Sequence, residues 1–285
     1  MIFDKNQENF PSEFCRDIWW WAVGICPPEV SLTDEVKSQC TTEILEGCHQ
    51  WHDYFHKLCA DMYSNEELYQ PATPRQYRDI LEKIAELGTP QGDGIILDPD
   101  VWCAFTDKIN RSKAYRTSGI TLDACIAVLG RAGLRFQKNM AFFEEYPKIF
   151  YAMHQFQQSP NVRETPARHQ FAHCDFRRLF KNYAENYDEL LRRVSDESLQ
   201  TAHDIHDYCK SIKVPRNIHF GIIKYKHKKH RVLDFTLHKD KYPTLQVNIS
   251  TFDGEKINIP AKNENLNHIC ELITARKAEI DREVQ

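Results

Sequence analysis

The chain has 285 residues, 41% of them hydrophobic and 12% aromatic, which is enough for a buried core and exceeds the roughly 100–200 residues of one domain. Its net charge of −4 hides a split: the first 110 residues carry eight Lys or Arg against twenty Asp or Glu, a net of −12, while residues 211–243 carry nine against two, a net of +7. This composition excludes a disordered chain, and the longest apolar run, the nine residues 18–26, is far short of the roughly 20 that cross a bilayer.

The acidic N-terminus has neither the basic nor the continuous apolar region of a signal peptide, so a cytoplasmic chain without a membrane segment is expected. Ten cysteines are scattered with no CxxC pair. They read as reduced, buried small hydrophobes rather than a metal or disulfide framework.

In chain order, a first short helix contains Phe14, Ile18, Trp19 and Val23 and ends before Cys26, Pro27 and Pro28. From Val36, the apolar positions Cys40, Ile44, Cys48, Trp51, Phe55, Leu58 and Met62 recur at three- and four-residue steps, predicting a single helix of about eight turns. Ser31 or Thr33 caps it, and Asp34 and Glu35 favour its dipole. A third helix spans 73–87, with Pro74 inside its start and Gly88 past its end.

Residues 88–99 read as a loop with one short strand at Ile95 to Leu97, after which Asp98 and Pro99 open a helix to about Asn110. Another helix runs from Thr121 to a left-handed stop near Gly133, followed by a short β hairpin near 134–143 and a helix at 146–157. Residues 159–169, with two prolines and mixed charge, form a loop boundary. Helical patterns follow at 171–180, 183–194 and 196–212.

Past Pro215 the period becomes two. Leu233, Phe235 and Leu237 alternate with polar positions, as do Leu245, Val247 and Ile249, and Asp253 with Gly254 signals a turn. A closing helix has Leu266, Ile269, Ile273 and Ile280 on one face. The expected fold class is α+β: a mainly helical acidic domain at 1–195, then a basic α-β-β-β-β-α antiparallel meander at 196–285.

The meander carries the basic cluster. A one-residue phase change near Gly221, of the kind a glycine-marked bulge produces, places Lys224, Lys226 and Lys228 on the outer face with Lys229, His230 and Arg231 beside the turn. Such a column beside Gln246, Asn248 and Ser250 suits an anionic partner, an acidic protein surface or nucleic acid. Exposed stacking aromatics are missing, since only Tyr225 and Tyr242 lie near and Tyr225 belongs in the core.

The second constellation is His49, His52 and His56 on the long helix, with Asp53 and Cys59 nearby. His52 and His56 have the i, i+4 spacing of HExxH zinc helices without the glutamate of that motif. Two further pairs are His169 with His173 and His203 with His206; converging imidazoles would suit zinc. His173, Cys174 and Asp175 are sequence neighbours, and neighbours on a helix do not face one another. That run reads as an amphipathic turn with Phe176, Leu179 and Phe180 inward.

No hydrolase, kinase, phosphate-loop or EF-hand signature is present, and Gln91 to Gly94 is only a turn. No cofactor is expected, and whether the chain is an enzyme is left open. The first functional reading is an interaction protein whose face of Lys224, Lys226, Lys228, Lys229 and Arg231 meets an anionic partner. The alternative is a metal-dependent or small-ligand enzyme with a pocket between the helical and β parts and His52 and His56 as metal ligands. A homo-oligomer is the third, because Trp19, Trp20 and Trp21 do not all fit one buried helix face.

Overall fold

The computed structural model describes residues 3–159, 174–180, 187–191, 194–219, 222–237, 241, 243–251 and 255–283, with backbone alone at 219 and 222. The fold class is α+β, with helices dominating the first part of the chain and an antiparallel sheet in the last. Two compact units are present: Phe10–Tyr183, and Ala184–Gln285 together with Phe3–Asn9. No helix among the described residues is long and apolar enough to cross a membrane.

In the helical unit, α1 (Glu13–Trp19) starts at Ser12, whose hydroxyl accepts from the Cys15 amide. It runs into a π-helical turn, Trp20–Ile25, that closes when the Cys26 amide donates to Trp21 O at 2.9 Å. Trp19 and Trp21 are both buried and Trp20 is half-buried.

The single long helix expected from Val36 is two helices, α2 (Asp34–Gln39) and α3 (Thr42–Ser64). Cys40 is extended (φ −80°, ψ 142°) because Thr41 acts as a new N-cap, its hydroxyl accepting from the Ile44 amide. A short α4 (Glu66–Tyr69) leads to α5 (Pro74–Leu87), which begins in a Thr73/Gln76 capping box.

Residues 88–97 form two strands, β1 (Gly88–Gln91) and β2 (Gly94–Leu97), rather than a loop with one strand. Gly92 takes the left-handed turn (φ 61°) and the expected hairpin β3 (Leu134–Gln137) and β4 (Met140–Phe143) supplies the partner, giving the antiparallel order β1-β2-β4-β3. Between the hairpins lie α6 (Pro99–Asn110), α7 (Lys113–Ser118) and α8 (Leu122–Arg131), and Gly133 follows α8 with φ 97°. After the sheet, α9 (Ile149–Gln158) packs on α3 at Gly47, where a Cβ would stand 2.3 Å from Lys148 O. Trp51 of α3 meets Phe156 edge-on at 5.5 Å.

Of the helices expected at 171–180 and 183–194, residues 171–173, 181–186 and 192–193 lie outside the described residues. What is described there is a 3₁₀ turn, Phe176–Arg178, and α10 (Tyr187–Leu191). The boundary loop after Ser159, His169, His173, Gly221, Tyr242 and the Asp253-Gly254 turn also lie outside them.

The second unit has α11 (Asp196–Ser211), a meander and α12 (Leu266–Glu283). The meander has five strands where four were expected: β5 (Arg216–His219), β6 (Ile222–His227), β7 (His230–Thr236), β8 (Gln246–Ser250) and β9 (Lys256–Pro260), paired in sequence order. The stretch read as one bulged strand folds back on itself, Asn217 opposite Lys224 and Ile218 opposite Ile223. Phe235, Val247 and Ile249 then pack with Ile205 of α11 and Ile269 and Ile273 of α12 in one core.

Candidate metal centre

Three chain segments of the helical unit bring their chemistry to one place. The π turn ends at Cys26, so the thiol is delivered where the helix stops and Pro27 and Pro28 prevent its continuation. On α3, His52 and His56 lie one turn apart on the same face, with ring centroids 4.5 Å apart. The ligand atoms of Cys26, His52 and His56 all lie within 4.8 Å of one another, and Cys26 Sγ is 3.5 Å from His56 Nε2. Cys26 and His52 are buried and His56 is half-buried.

Cys174 lies outside that set of three but is a hydrogen-bonding neighbour of Cys26. It is fully buried and sits in the left-handed region at φ 38°, a conformation that costs a non-glycine residue about 1–2 kcal/mol. The neighbouring Asp175 holds this segment: it accepts from Arg177 Nε at 2.7 Å and Nη2 at 2.8 Å in a buried two-pronged pair.

The electrostatics separate the two sulfurs. Burial pushes the Cys26 thiol up, but hydrogen bonds from Cys174, His52 and His56 together with the charge of His56 outweigh it, leaving Cys26 well below the ordinary 9.0. Cys174 goes the other way, raised by burial and by acting as the donor to Cys26. His52 loses by burial, yet its bond to Cys26, the Cys26 charge, the Pro27 carbonyl and Asp53 lift it above 6.5. The result is one thiol held low between two imidazoles and a second held high beside it.

His52 and His56 therefore sit together as their spacing suggests, whereas His49 points to solvent. Among the described residues His203 and His206 enter no such set: their rings pack on Tyr187, and His206 Nδ1 lies 3.0 Å from Tyr225 Oη. None of the ten cysteines is in a disulfide. The cysteines are free as expected, and the sequence reading did not single out Cys26, whose one local signal is its place directly before a proline pair that must end its helix.

The five basic residues do not form one column. The strand pairing slips between Tyr225 and Lys226, not near Gly221, and Lys228 and Lys229 occupy the hairpin loop with φ of 46° and 72°. This turns Lys228 toward α12, where its Nζ meets Asp281 at 2.9 Å beside His227 at 2.7 Å. Arg231 pairs with Asp234 at 2.8 Å. Lys226 and Lys229 are exposed and Lys224 half-buried, none with a side-chain ion pair among the described residues. Of the polar positions beside them, Gln246 and Asn248 are buried and already bonded: Asn248 Nδ2 donates to Asp234 Oδ1 and Thr236 Oγ1, each at 2.8 Å, and Gln246 Nε2 to Thr244 O.

Comparison with protein-family models, with curated proteins and with solved structures finds no match to this chain.

Proposed function

We propose that this chain is a metal-binding protein that holds one zinc-class ion on Cys26, His52, His56 and Cys174, as a closed site that ties together three segments of the helical unit. The observation that carries this is the convergence of one thiol and two imidazoles within 4.8 Å, with Cys174 a neighbour of the thiol from a third segment. In a tetrahedral zinc site, bonds of about 2.3 Å to sulfur and 2.0–2.1 Å to nitrogen put neighbouring S and N ligands about 3.5 Å apart. The Cys26 to His56 distance of 3.5 Å already has that value.

Two thiolates and two imidazoles are the donor set of structural zinc, and burial of most of it leaves little room for the water that a catalytic ion keeps. His52 Nε2 donates to Pro27 O at 3.0 Å; binding an ion exchanges that carbonyl for the metal and requires the neutral ring's proton to sit on Nδ1 instead, 3.9 Å from Asp53. Cys174 gives up its thiol proton in the same step, so metal uptake releases acid.

The anionic-partner reading draws less support, because Lys228 and Arg231 are committed to Asp281 and Asp234 and the adjoining polar ladder bonds to itself. Elemental analysis of the protein as purified tests the metal reading. About one zinc per chain is expected, falling below about a tenth in Cys26→Ser and His56→Ala and unchanged in Cys103→Ser at an exposed position. Absence of a stoichiometric transition metal, both as purified and after titration with zinc, would overturn it.

A further inference from the structure

We infer that α7, α8 and the β3–β4 hairpin form a surface that binds duplex DNA, in the helical unit rather than on the basic meander. The helices α7 and α8 are joined by Gly119, Ile120 and Thr121, and Gly119 turns the chain at φ 67°. Two helices joined by so short a turn with a glycine in it have the connection of the helix-turn-helix, which lays its second helix in the major groove. A third helix backs the pair: α5 packs on α8, and Gln76 of α5 donates to Ser118 Oγ at the end of α7 at 3.3 Å. Tyr115 of α7 and Leu122, Cys125 and Leu129 of α8 are buried.

The hairpin follows α8 directly. Its second strand, β4, pairs with β2 from before the helices, and Arg135 of β3 donates to Gly130 O near the end of α8, so the hairpin is fastened on both sides. Its turn, with Lys138 at φ 55°, is exposed.

The charge follows the same elements. Residues 1–110 are net −12, but residues 111–143, from the end of α6 to the end of β4, carry six Lys or Arg against one Asp, a net of +5. Lys113 and Arg116 on α7, Arg131 at the end of α8, Arg135 on β3 and Lys138 in the turn are all exposed. Lys113, Arg116, Arg131 and Lys138 have no ion-pair partner among the described residues, in contrast to Lys228 and Arg231 of the meander. Arg111 meets Asp107 at 3.6 Å between two exposed side chains, a contact that salt weakens. On α8 the exposed positions Ala124, Ala127 and Arg131 follow one another at three- and four-residue steps, on the face opposite Leu122, Cys125 and Leu129, with Asp123 to one side.

Duplex DNA fits this arrangement better than other polyanions. A helix enters the B-form major groove, about 12 Å wide, while cations on the neighbouring helix and hairpin hold phosphates. The major groove of A-form RNA is too narrow for that. Single strands need open stacking rings, and the rings of α6 and β3 are engaged with one another: Trp102 packs on Phe105 at 5.3 Å and on Phe136 at 6.1 Å.

The test is fluorescence anisotropy of a labelled duplex of about 30 base pairs with the full chain, beside the same sequence as single-stranded DNA and as duplex RNA, and with polyglutamate as competitor. Duplex DNA is expected to bind with a Kd of about 1–10 µM in about 50 mM NaCl, at least about 5-fold more tightly than either other nucleic acid and undisturbed by polyglutamate. About four phosphate contacts should weaken it about 100-fold in about 200 mM NaCl. The exposed double change Lys113→Ala with Arg116→Ala should weaken it at least about 10-fold and lower the log–log salt slope by about two. Ala127→Glu, also exposed, should weaken it as much, and both variants should keep the parent Tm. Lys226→Ala with Lys229→Ala, on the meander, should change nothing. No duplex binding at about 100 µM protein in about 50 mM NaCl would overturn the proposal. So would equal or tighter binding of single strand or RNA, displacement by polyglutamate, affinity indifferent to both helical-unit variants, or affinity lost in the meander variant.

Discussion

Asp175 in the helical unit and Asp281 in the meander unit each gather more than one cation, and their surroundings make them different objects. Asp175 has a side chain 3% exposed and grips Arg177 through both oxygens, with Arg178 at 3.7 Å. Asp281 is 32% exposed and collects Lys277 at 2.7 Å, His227 at 2.7 Å and Lys228 at 2.9 Å. Water and salt can replace the partners of the second but not of the first. The buried pair has a positional task, holding the strained Cys174 against Cys26, whereas the exposed one fastens a hairpin loop to α12 and absorbs charge that the sequence displays as a basic patch.

The largest effect should come from Asp175→Ala, which removes the two-pronged partner of a buried guanidinium and costs about 3–5 kcal/mol in urea unfolding. If it costs no more than Asp281→Asn in the same assay, the distinction between the two clusters fails. Next is the metal itself: free zinc at 100 times its Kd should stabilise the folded chain by about 2.7 kcal/mol, a Tm gain of roughly 5–10 °C, and this gain should vanish in His56→Ala.

The pH arm of that experiment sharpens it. Because His52 is raised above 6.5, its protonation stabilises the metal-free chain fully below pH 6.5 and that contribution is lost as pH rises through the higher folded-state value. Metal binding needs the neutral ring, so the Tm difference between zinc-loaded and metal-free protein should widen as pH rises through the same interval. A difference that is flat from pH 6 to 8 would take His52 out of the ligand set.

The smallest effect belongs to Asp281→Asn. Lys277 first, then His227 and Lys228, hold this carboxyl below the usual range, so its contribution is present above about pH 4 and lost only in stronger acid. At neutral pH the variant should lose a little Tm in low salt and nothing in about 1 M NaCl, where the Debye length is about 3 Å. A loss that survives salt would show the cluster to be more than a surface contact.

Local signals in the sequence located α5, α6, α8, the β3–β4 hairpin and the strands after Pro215, because caps, glycines and periods of 3.6 or two are decided by neighbouring residues. What escaped were competitions and assemblies. Thr41 capping a second helix overrides an apolar stripe that passes through Cys40 without interruption. The slip at Tyr225 and Lys226 turns Lys228 toward α12, and no glycine marks it. His52 and His56 were legible as a pair, but Cys26 stands 26 positions before His52 and Cys174 another 122 after it, and only tertiary packing introduces them. Asp175 was legible only as a neighbour of Cys174, since its buried pairing with Arg177 depends on burial that composition does not reveal.

The helix α3 carries His52 and His56 on one side and Tyr54, Leu58 and Asp61 on the other. Such a helix can drift in composition along its outer edge, as at His49 or Asp53, while its length between positions 52 and 61 is frozen. One inserted or deleted residue there swings everything downstream by about 100°. An insertion between Tyr54 and His56 would separate the histidines and turn Leu58 out of the core and Asp61 away from Tyr69 in a single event, so this stretch should accept substitutions and refuse indels.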